Sequence, residues 1–208
     1  MTKSVIWNQP QDTGMNATLV LAHGAGAPMD SYYMQHLAEC LAAGGLRVMR
    51  FEFPYMSQRR ATGRKRPPDR FPLLEEAFVE HCKDLPGAVF VGGKSMGGRV
   101  ASTVADALNA AGLICFGYPF HPPGKPGKTR TAHLHALATP GLILQGTRDP
   151  FGKPEEVADY DLASGLTVEW LESGDHDLKP LKSSGRTQDD LIQDAAQRAL
   201  KFCATLIS

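Results

Sequence analysis

Val89-Phe90-Val91-Gly92-Gly93-Lys94-Ser95-Met96-Gly97-Gly98-Arg99 decides how this chain is read. A β-branched and aromatic run leads into Gly-x-Ser-x-Gly at 93–97, and a helix-compatible stretch reaching Ala111 follows at once. A short apolar run closed by glycine reads as a buried strand. A serine between strand and helix is the setting of a nucleophile elbow, which holds the hydroxyl above the sheet. The turn crowds the positions two residues either side of the serine, so glycine suits 93 and 97. The hydroxyl then stands at a helix N-terminus, whose free amides stabilise an anion. These residues predict a serine hydrolase. The plain alternative is a tight strand-to-helix turn without chemistry.

A phosphate loop competes for the same letters, because Gly93-Lys94-Ser95 spells part of Gly-x-x-x-x-Gly-Lys-Ser/Thr. It fails on position. The first glycine would fall at 88, where Ala88 stands, and Gly87 is one residue early. The intervening residues, Ala88 to Gly92, read as strand rather than as a loop wrapped round phosphate.

Outward from this stretch, strands and helices alternate. Strands are expected at Ser4–Asn8, Ala17–Ala22, Leu46–Phe53, Ala88–Gly92, Leu113–Gly117, Gly141–Gln145 and Thr167–Leu171. Helices are expected at Tyr32–Ala43, Phe71–Cys82, Gly97–Ala111 and Asp189–Ile207, with Thr187 capping the last. This rhythm predicts an α/β fold: an open, mostly parallel central sheet of about six or seven strands with helices on both faces. Ligand chemistry in such sheets gathers at the carboxyl ends of the strands. No linker or repeat divides residues 1–208, so one domain is expected.

Composition bounds the rest. Lys plus Arg and Asp plus Glu are 22 each, which gives no global reason to bind nucleic acid or an anionic membrane. The start, Met1 to Pro10, has neither a basic leader nor a long apolar run, and no apolar run approaches a membrane span. Cys40, Cys82, Cys115 and Cys203 are scattered without Cys-x-x-Cys, which speaks against a zinc site and for free thiols. A cytoplasmic location is the expectation. Two loops stand out. Residues 58–70 carry six Lys and Arg side chains, and read either as a solvated surface loop or as an electrostatic funnel for an anionic substrate or partner. Pro119–Lys128 is rich in Pro and Gly, and Thr129–Ala138 has the makings of a short helix.

A serine nucleophile needs a base, and the base an orienting carboxylate. His176 lies in Glu172-Ser173-Gly174-Asp175-His176-Asp177, after the last expected strand. Asp149 lies in Thr147-Arg148-Asp149-Pro150, just beyond the strand at 141–145, where a turn-forming role is the alternative. Asp175 and Asp177 adjoin the histidine in sequence, but adjacent side chains diverge, and they are expected to face water. The amides of Met96 and Ala25 are the expected oxyanion donors. Ala25 sits in His23-Gly24-Ala25-Gly26-Ala27, whose small residues open a path to substrate, with Gly24 beside it and His23 fixing the loop. Phe120 and His121 either line the pocket or belong to a rigid proline-rich connection, and Arg130, His133 and His135 are further residues placed to face it.

His23-Gly24-Ala25-Gly26, Gly93-Lys94-Ser95-Met96-Gly97-Gly98-Arg99, Gly146-Thr147-Arg148-Asp149-Pro150 and Gly174-Asp175-His176 follow one another in an order that resembles the α/β-hydrolase superfamily. The chain looks most like its small members around the dienelactone-hydrolase-like branch. The resemblance implies an α/β-hydrolase fold with a minimal lid and catalysis through an acyl-enzyme on Ser95. Dienelactone hydrolases proper use cysteine at the elbow, so Ser95 departs from that pattern. The expected activity is cleavage of a small-molecule carboxylic ester or thioester by Ser95, Asp149 and His176, without metal or organic cofactor. The alternatives are amide or carbon–carbon bond hydrolysis by the same residues, or a hydrolase-like scaffold kept for binding.

Overall fold

The computed structural model describes residues 5–11 and 14–207. Its strands are β1 (Val5–Asn8), β2 (Ala17–Ala22), β3 (Arg47–Phe51), β4 (Ala88–Lys94), β5 (Gly112–Phe116), β6 (Gly141–Gly146) and β7 (Leu166–Leu171). Its helices are α1 (Tyr32–Ala43), α2 (Pro54–Thr62), α3 (Phe71–His81), α4 (Met96–Val104), α5 (Pro154–Val157) and α6 (Gln188–Leu206). The strands form one sheet in the order β1-β3-β2-β4-β5-β6-β7. β1 is antiparallel to β3, and the other pairings are parallel. Ser4, expected at the start of the first strand, lies outside the described residues.

The strands bury both faces, as a parallel sheet between helices must. Side chains alternate across the sheet with period two. Leu19 and Leu21 of β2 pack with Met34 and Leu37 of α1 and Leu191 and Ile192 of α6. Val20 and Ala22 of the same strand face Tyr55 of α2, Leu74 and Phe78 of α3 and Val100 of α4. α6 begins where the sequence places it: Asp190 N–H donates to Thr187 Oγ1, and Thr187 N–H donates back to Asp190 Oδ2 at 2.7 Å. Among the described residues no helix is long and apolar enough to cross a membrane.

Topology fixes where chemistry gathers. From β2 the chain goes outward to β3, then returns across β2 to β4 and continues the other way. The loops after β2 and β4 therefore leave the sheet in opposite directions and open a crevice at their carboxyl ends. Residues 23–27 and Ser95 flank it.

Three expectations change. The helix after Ser95 ends at Val104 rather than Ala111, because the chain turns there to lay Ala111 against Val89 and enter β5, with Asn109 at φ 47°. Gln58–Thr62 is helical rather than loop: Pro54 starts α2 and left-handed Gly63 ends it, while Arg60 pairs with buried Glu52 and with Asp30. Thr129–Ala138 forms turns instead of a helix. Its amides are spent elsewhere, Arg130 N–H on the Phe120 carbonyl and Ala138 N–H on the Asp106 carboxylate.

Candidate active site

β4 delivers Ser95 on a strained turn, with φ 52° and ψ −115°. A Cβ on Gly93 would stand 2.5 Å from the Gly97 carbonyl carbon, and one on Gly97 would stand 2.5 Å from the Ala22 carbonyl oxygen. Both positions need glycine for the reason the sequence suggests: backbone from the turn and from β2 fills the space. Met96 opens α4, so its N–H belongs to the first-turn amides that have no intrahelical acceptor.

The histidine and the carboxylate arrive on neighbouring strands. β6 and β7 pair up to Gly146 and Leu171. Beyond them the loops are bonded together: Arg148 N–H donates to the Gly174 carbonyl at 2.9 Å, and Ser173 N–H to Thr147 Oγ1 at 2.8 Å. Gly146 has no side chain where the Asp175 carbonyl oxygen would lie 2.6 Å from a Cβ. This close approach sets His176 over Asp149.

The result is a hydrogen-bonded row. His176 Nδ1 lies 2.7 Å from Asp149 Oδ2, and Nε2 lies 2.9 Å from Ser95 Oγ. Because a carboxylate only accepts, Nδ1 carries the proton and Nε2 is left to accept from the serine hydroxyl. Asp149 is fully buried, and three donors satisfy it: His176, Gln145 Nε2 at 2.9 Å and Phe151 N–H at 2.9 Å. The Phe151 ring packs on the imidazole at 4.3 Å between centroids. An alcohol, an imidazole in the accepting tautomer and a buried carboxylate in this order can transfer a proton off the alcohol as it attacks.

Residues 24–27 line the crevice beside Ser95. His23 is buried, with Nε2 accepting from Phe53 N–H and Nδ1 bonded to the Gly24 carbonyl at 2.7 Å. Burial pushes its pKa down, so the neutral ring braces the loop. A Cβ on Gly24 would touch that of Ser95 at 3.7 Å, so Gly24 forms the wall next to the hydroxyl.

Phe120 and His121 are not on that wall. Phe120 is buried against Tyr118 and Tyr160, and His121 is 1% exposed and bonded to Pro122 and Glu156. They serve the rigid-connection reading. His133 bonds to Ser102, His135 is exposed beside Asp161, and Arg130 does face the crevice. Asp175 does not simply face water: its Oδ1 accepts from the amides of Asp177 and Lys179 and folds the histidine loop.

The structure adds residues the sequence reading passed over. Lys94 is buried, donates to the His176 carbonyl at 2.6 Å and lies 3.4 Å from Asp177; burial lowers its pKa and the nearby aspartates oppose this. Tyr33 and Phe151 share its cleft. The only sequence signal for Lys94 was its place inside the elbow itself.

Fold and site together define a hydrolase scaffold with a serine at its elbow. Residues 15–204 match the family described as alpha/beta hydrolase domain, and the chain belongs to that family. It is similar in fold to an α/β serine hydrolase without lid from Xanthomonas campestris, at 21% identity and TM-score 0.71, covering 95% of this chain and 87% of that one. It is also similar to a dienelactone hydrolase from Anabaena variabilis, at 19% identity and TM-score 0.71, covering 98% and 92%. The esterase domain of a Rhodothermus marinus protein matches at 15% identity and TM-score 0.70, covering both chains completely.

Proposed function

We propose that the protein is a serine hydrolase that cleaves a small carboxylic ester or thioester through an acyl-enzyme on Ser95. The observation that carries this reading is the unbroken row from Ser95 Oγ through His176 to Asp149. The esterase domain among its structural neighbours gives it further support.

The chemistry follows from the row. Ser95 Oγ bonds to the carbonyl carbon while His176 Nε2 takes its proton. Negative charge moves onto the carbonyl oxygen, where the amides of Met96 and Ala25 receive it. The tetrahedral intermediate collapses and the bond to the leaving oxygen or sulfur breaks. His176 returns the proton to that leaving group. A water then gives a proton to His176 and attacks the acyl carbon, and Ser95 Oγ leaves with the proton back from His176. Asp149 stays ionised throughout and keeps Nδ1 protonated. The cleft beside Ser95 that Tyr33 and Lys94 line encloses about 420 Å³, room for a short acyl or alcohol group rather than a long lipid chain.

Short p-nitrophenyl esters and their thioester counterparts test the reading. The native protein is expected to turn them over and to be labelled on Ser95 by a fluorophosphonate, and Ser95→Ala to lose at least about 1,000-fold in kcat/KM. Native-level turnover in Ser95→Ala would refute Ser95 as nucleophile. An inert, unlabelled native protein would favour a binding scaffold.

A further inference from the structure

Ser95 stands where two clefts meet. One is the Tyr33 and Lys94 side already described. The other, of similar volume at about 420 Å³, runs past Met96 between Pro68 and Phe71 on one side and Arg99, Pro119 and Arg130 on the other.

Both arginines of this second limb line the cleft that reaches Ser95. Arg60, Arg186 and Arg198 all pair with carboxylates. Among the described residues Arg99 and Arg130 pair with none within salt-bridge distance. Arg99 leaves α4 one turn after Ser95, which aims it along the same limb. Its guanidinium lies over the Phe71 ring at 4.4 Å, and its buried Nε has no hydrogen-bond partner. Stacking covers a face of the guanidinium and leaves its edge for in-plane bonding, the geometry that suits a carboxylate or phosphate. Asp69 is the carboxylate lining the same limb, and its Oδ2 is engaged by Tyr55 N–H at 2.8 Å.

Two cations sharing a cleft repel each other, and the one carboxylate that lines it pairs with neither of them, which leaves their lost hydration uncompensated. Burial, and then the charge of Arg99, weaken the hold of Arg130 on its proton. The same two causes push His133 down. An arriving anion would relieve both. The mouth is also basic: exposed Arg64, Lys65 and Arg66 lie on the loop that leads into Pro68 and Asp69. Such a rim raises the local concentration of anions.

We propose that this limb is an anion subsite, in which Arg99 and Arg130 grip the carboxylate or phosphate of an ester substrate whose carbonyl carbon reaches Ser95. This rests on the ester-hydrolase reading for the position of the reacting carbon. It narrows the substrate class to esters that carry an acidic group a few bonds from the scissile carbonyl.

Matched esters test it. p-Nitrophenyl hydrogen glutarate is compared with p-nitrophenyl pentanoate for charge on the acyl side, and 4-carboxyphenyl acetate with phenyl acetate for charge on the alcohol side. The native protein is expected to prefer the acidic member of one pair by at least about 10-fold in kcat/KM. Arg99→Gln and Arg130→Gln should each collapse that ratio toward one, while Arg47→Gln, at the amino end of β3 where it bonds to the Pro86 carbonyl, should keep it. Binding is read separately by calorimetry on Ser95→Ala protein with glutarate and with inorganic phosphate as probes. Binding of either probe that weakens at least about 10-fold in the Arg130→Gln background supports the subsite, and the probe that binds identifies carboxylate or phosphate. No acidic preference together with no binding of either probe overturns it, as does a preference or binding that survives loss of both arginines. Arginine-dependent binding in a protein that hydrolyses no ester would keep the subsite and end the hydrolase reading. Ester turnover with neither preference nor probe binding would do the reverse.

Discussion

Two histidine–carboxylate pairs stand beyond the carboxyl ends of the strands, and their burial is inverted. In the first, Asp149 is fully buried and His176 is 19% exposed. In the second, the His121 side chain is 2% exposed and Glu156 28%. The consequence lies in the second ring nitrogen. His176 Nε2 meets the Ser95 hydroxyl in an open cleft. His121 Nδ1 meets the Pro122 carbonyl inside the protein. A buried acid with a reachable imidazole can move a proton to and from a substrate. A buried imidazole with a reachable acid can only tie two segments together. The pairing of residue types is therefore common to both, and what the free nitrogen faces separates chemistry from architecture.

The largest expected effect breaks the first pair. Asp149→Asn keeps the size of the side chain but can donate from its amide to Nδ1, which moves the ring proton to Nε2. That tautomer cannot take the serine proton. A loss of about 10,000-fold in kcat/KM is expected, together with a stability loss of about 1–3 kcal/mol because the same amide also meets the Gln145 Nε2 donor. Turnover within 10-fold of native would place Asp149 with the architectural carboxylates. The matching change in the second pair is Glu156→Gln. Glu156 Oε2 accepts from Lys153 N–H at 2.8 Å and faces His121 Nε2 at 3.1 Å, so the expected cost is about 1–2 kcal/mol of stability, with turnover within about 2-fold. The Lys153 amide, and then His121, hold Glu156 below the usual carboxylate range. Its contribution is therefore present above the unfolded carboxylate value and is lost as pH falls through the folded one. Native and variant unfolding midpoints should converge in acid. A large rate loss in Glu156→Gln would erase the contrast between the pairs.

The parts of this arrangement that the sequence exposes are those set by local backbone. Gly93 and Gly97 announce the elbow because no other residue fits beside Ala22. Asp149 and His176 are legible because each follows a strand, and parallel strands in this order become neighbours. Side-chain direction in irregular segments is not local. Phe120 and His121 follow Gly117, whose φ of 69° redirects the chain after β5, and Phe120 ends against Gly152, where a Cβ would stand 2.6 Å from its ring. That contact joins segments 32 residues apart, and nothing around 120 in the sequence signals it. Lys94 is hidden for a related reason: whether the residue before the serine points into the cleft depends on loops from three strands. α4 is shorter than its sequence suggests because its helix-forming residues run on through the turn that must lead into β5.

A third histidine sharpens the comparison with the smallest expected effect. His23 sits at the end of β2, fully buried, with one nitrogen bonded to the Gly24 carbonyl and the other accepting from Phe53 N–H. Unlike His176 it has no nitrogen left for substrate, and unlike His121 it bonds to no carboxylate among the described residues. Protonation would turn the nitrogen that accepts from Phe53 N–H into a second donor and leave a charge in the core. Its pKa is accordingly below the ordinary 6.5, through burial first. Below that value the unfolded chain takes up a proton that the folded one refuses, so the stabilising contribution is complete above about pH 6.5 and declines as pH falls toward the folded value. His133, also depressed by burial, adds to the same slope, so only a difference between proteins isolates His23. His23→Asn is expected to be less stable than native at pH 8, through the loss of buried hydrogen bonds, and to lose less of its remaining stability between pH 7 and pH 5. Urea midpoints across that range measure both. Parallel slopes for the two proteins would mean that His23 keeps its proton balance on folding, and the loop beside Ser95 would then need a different brace.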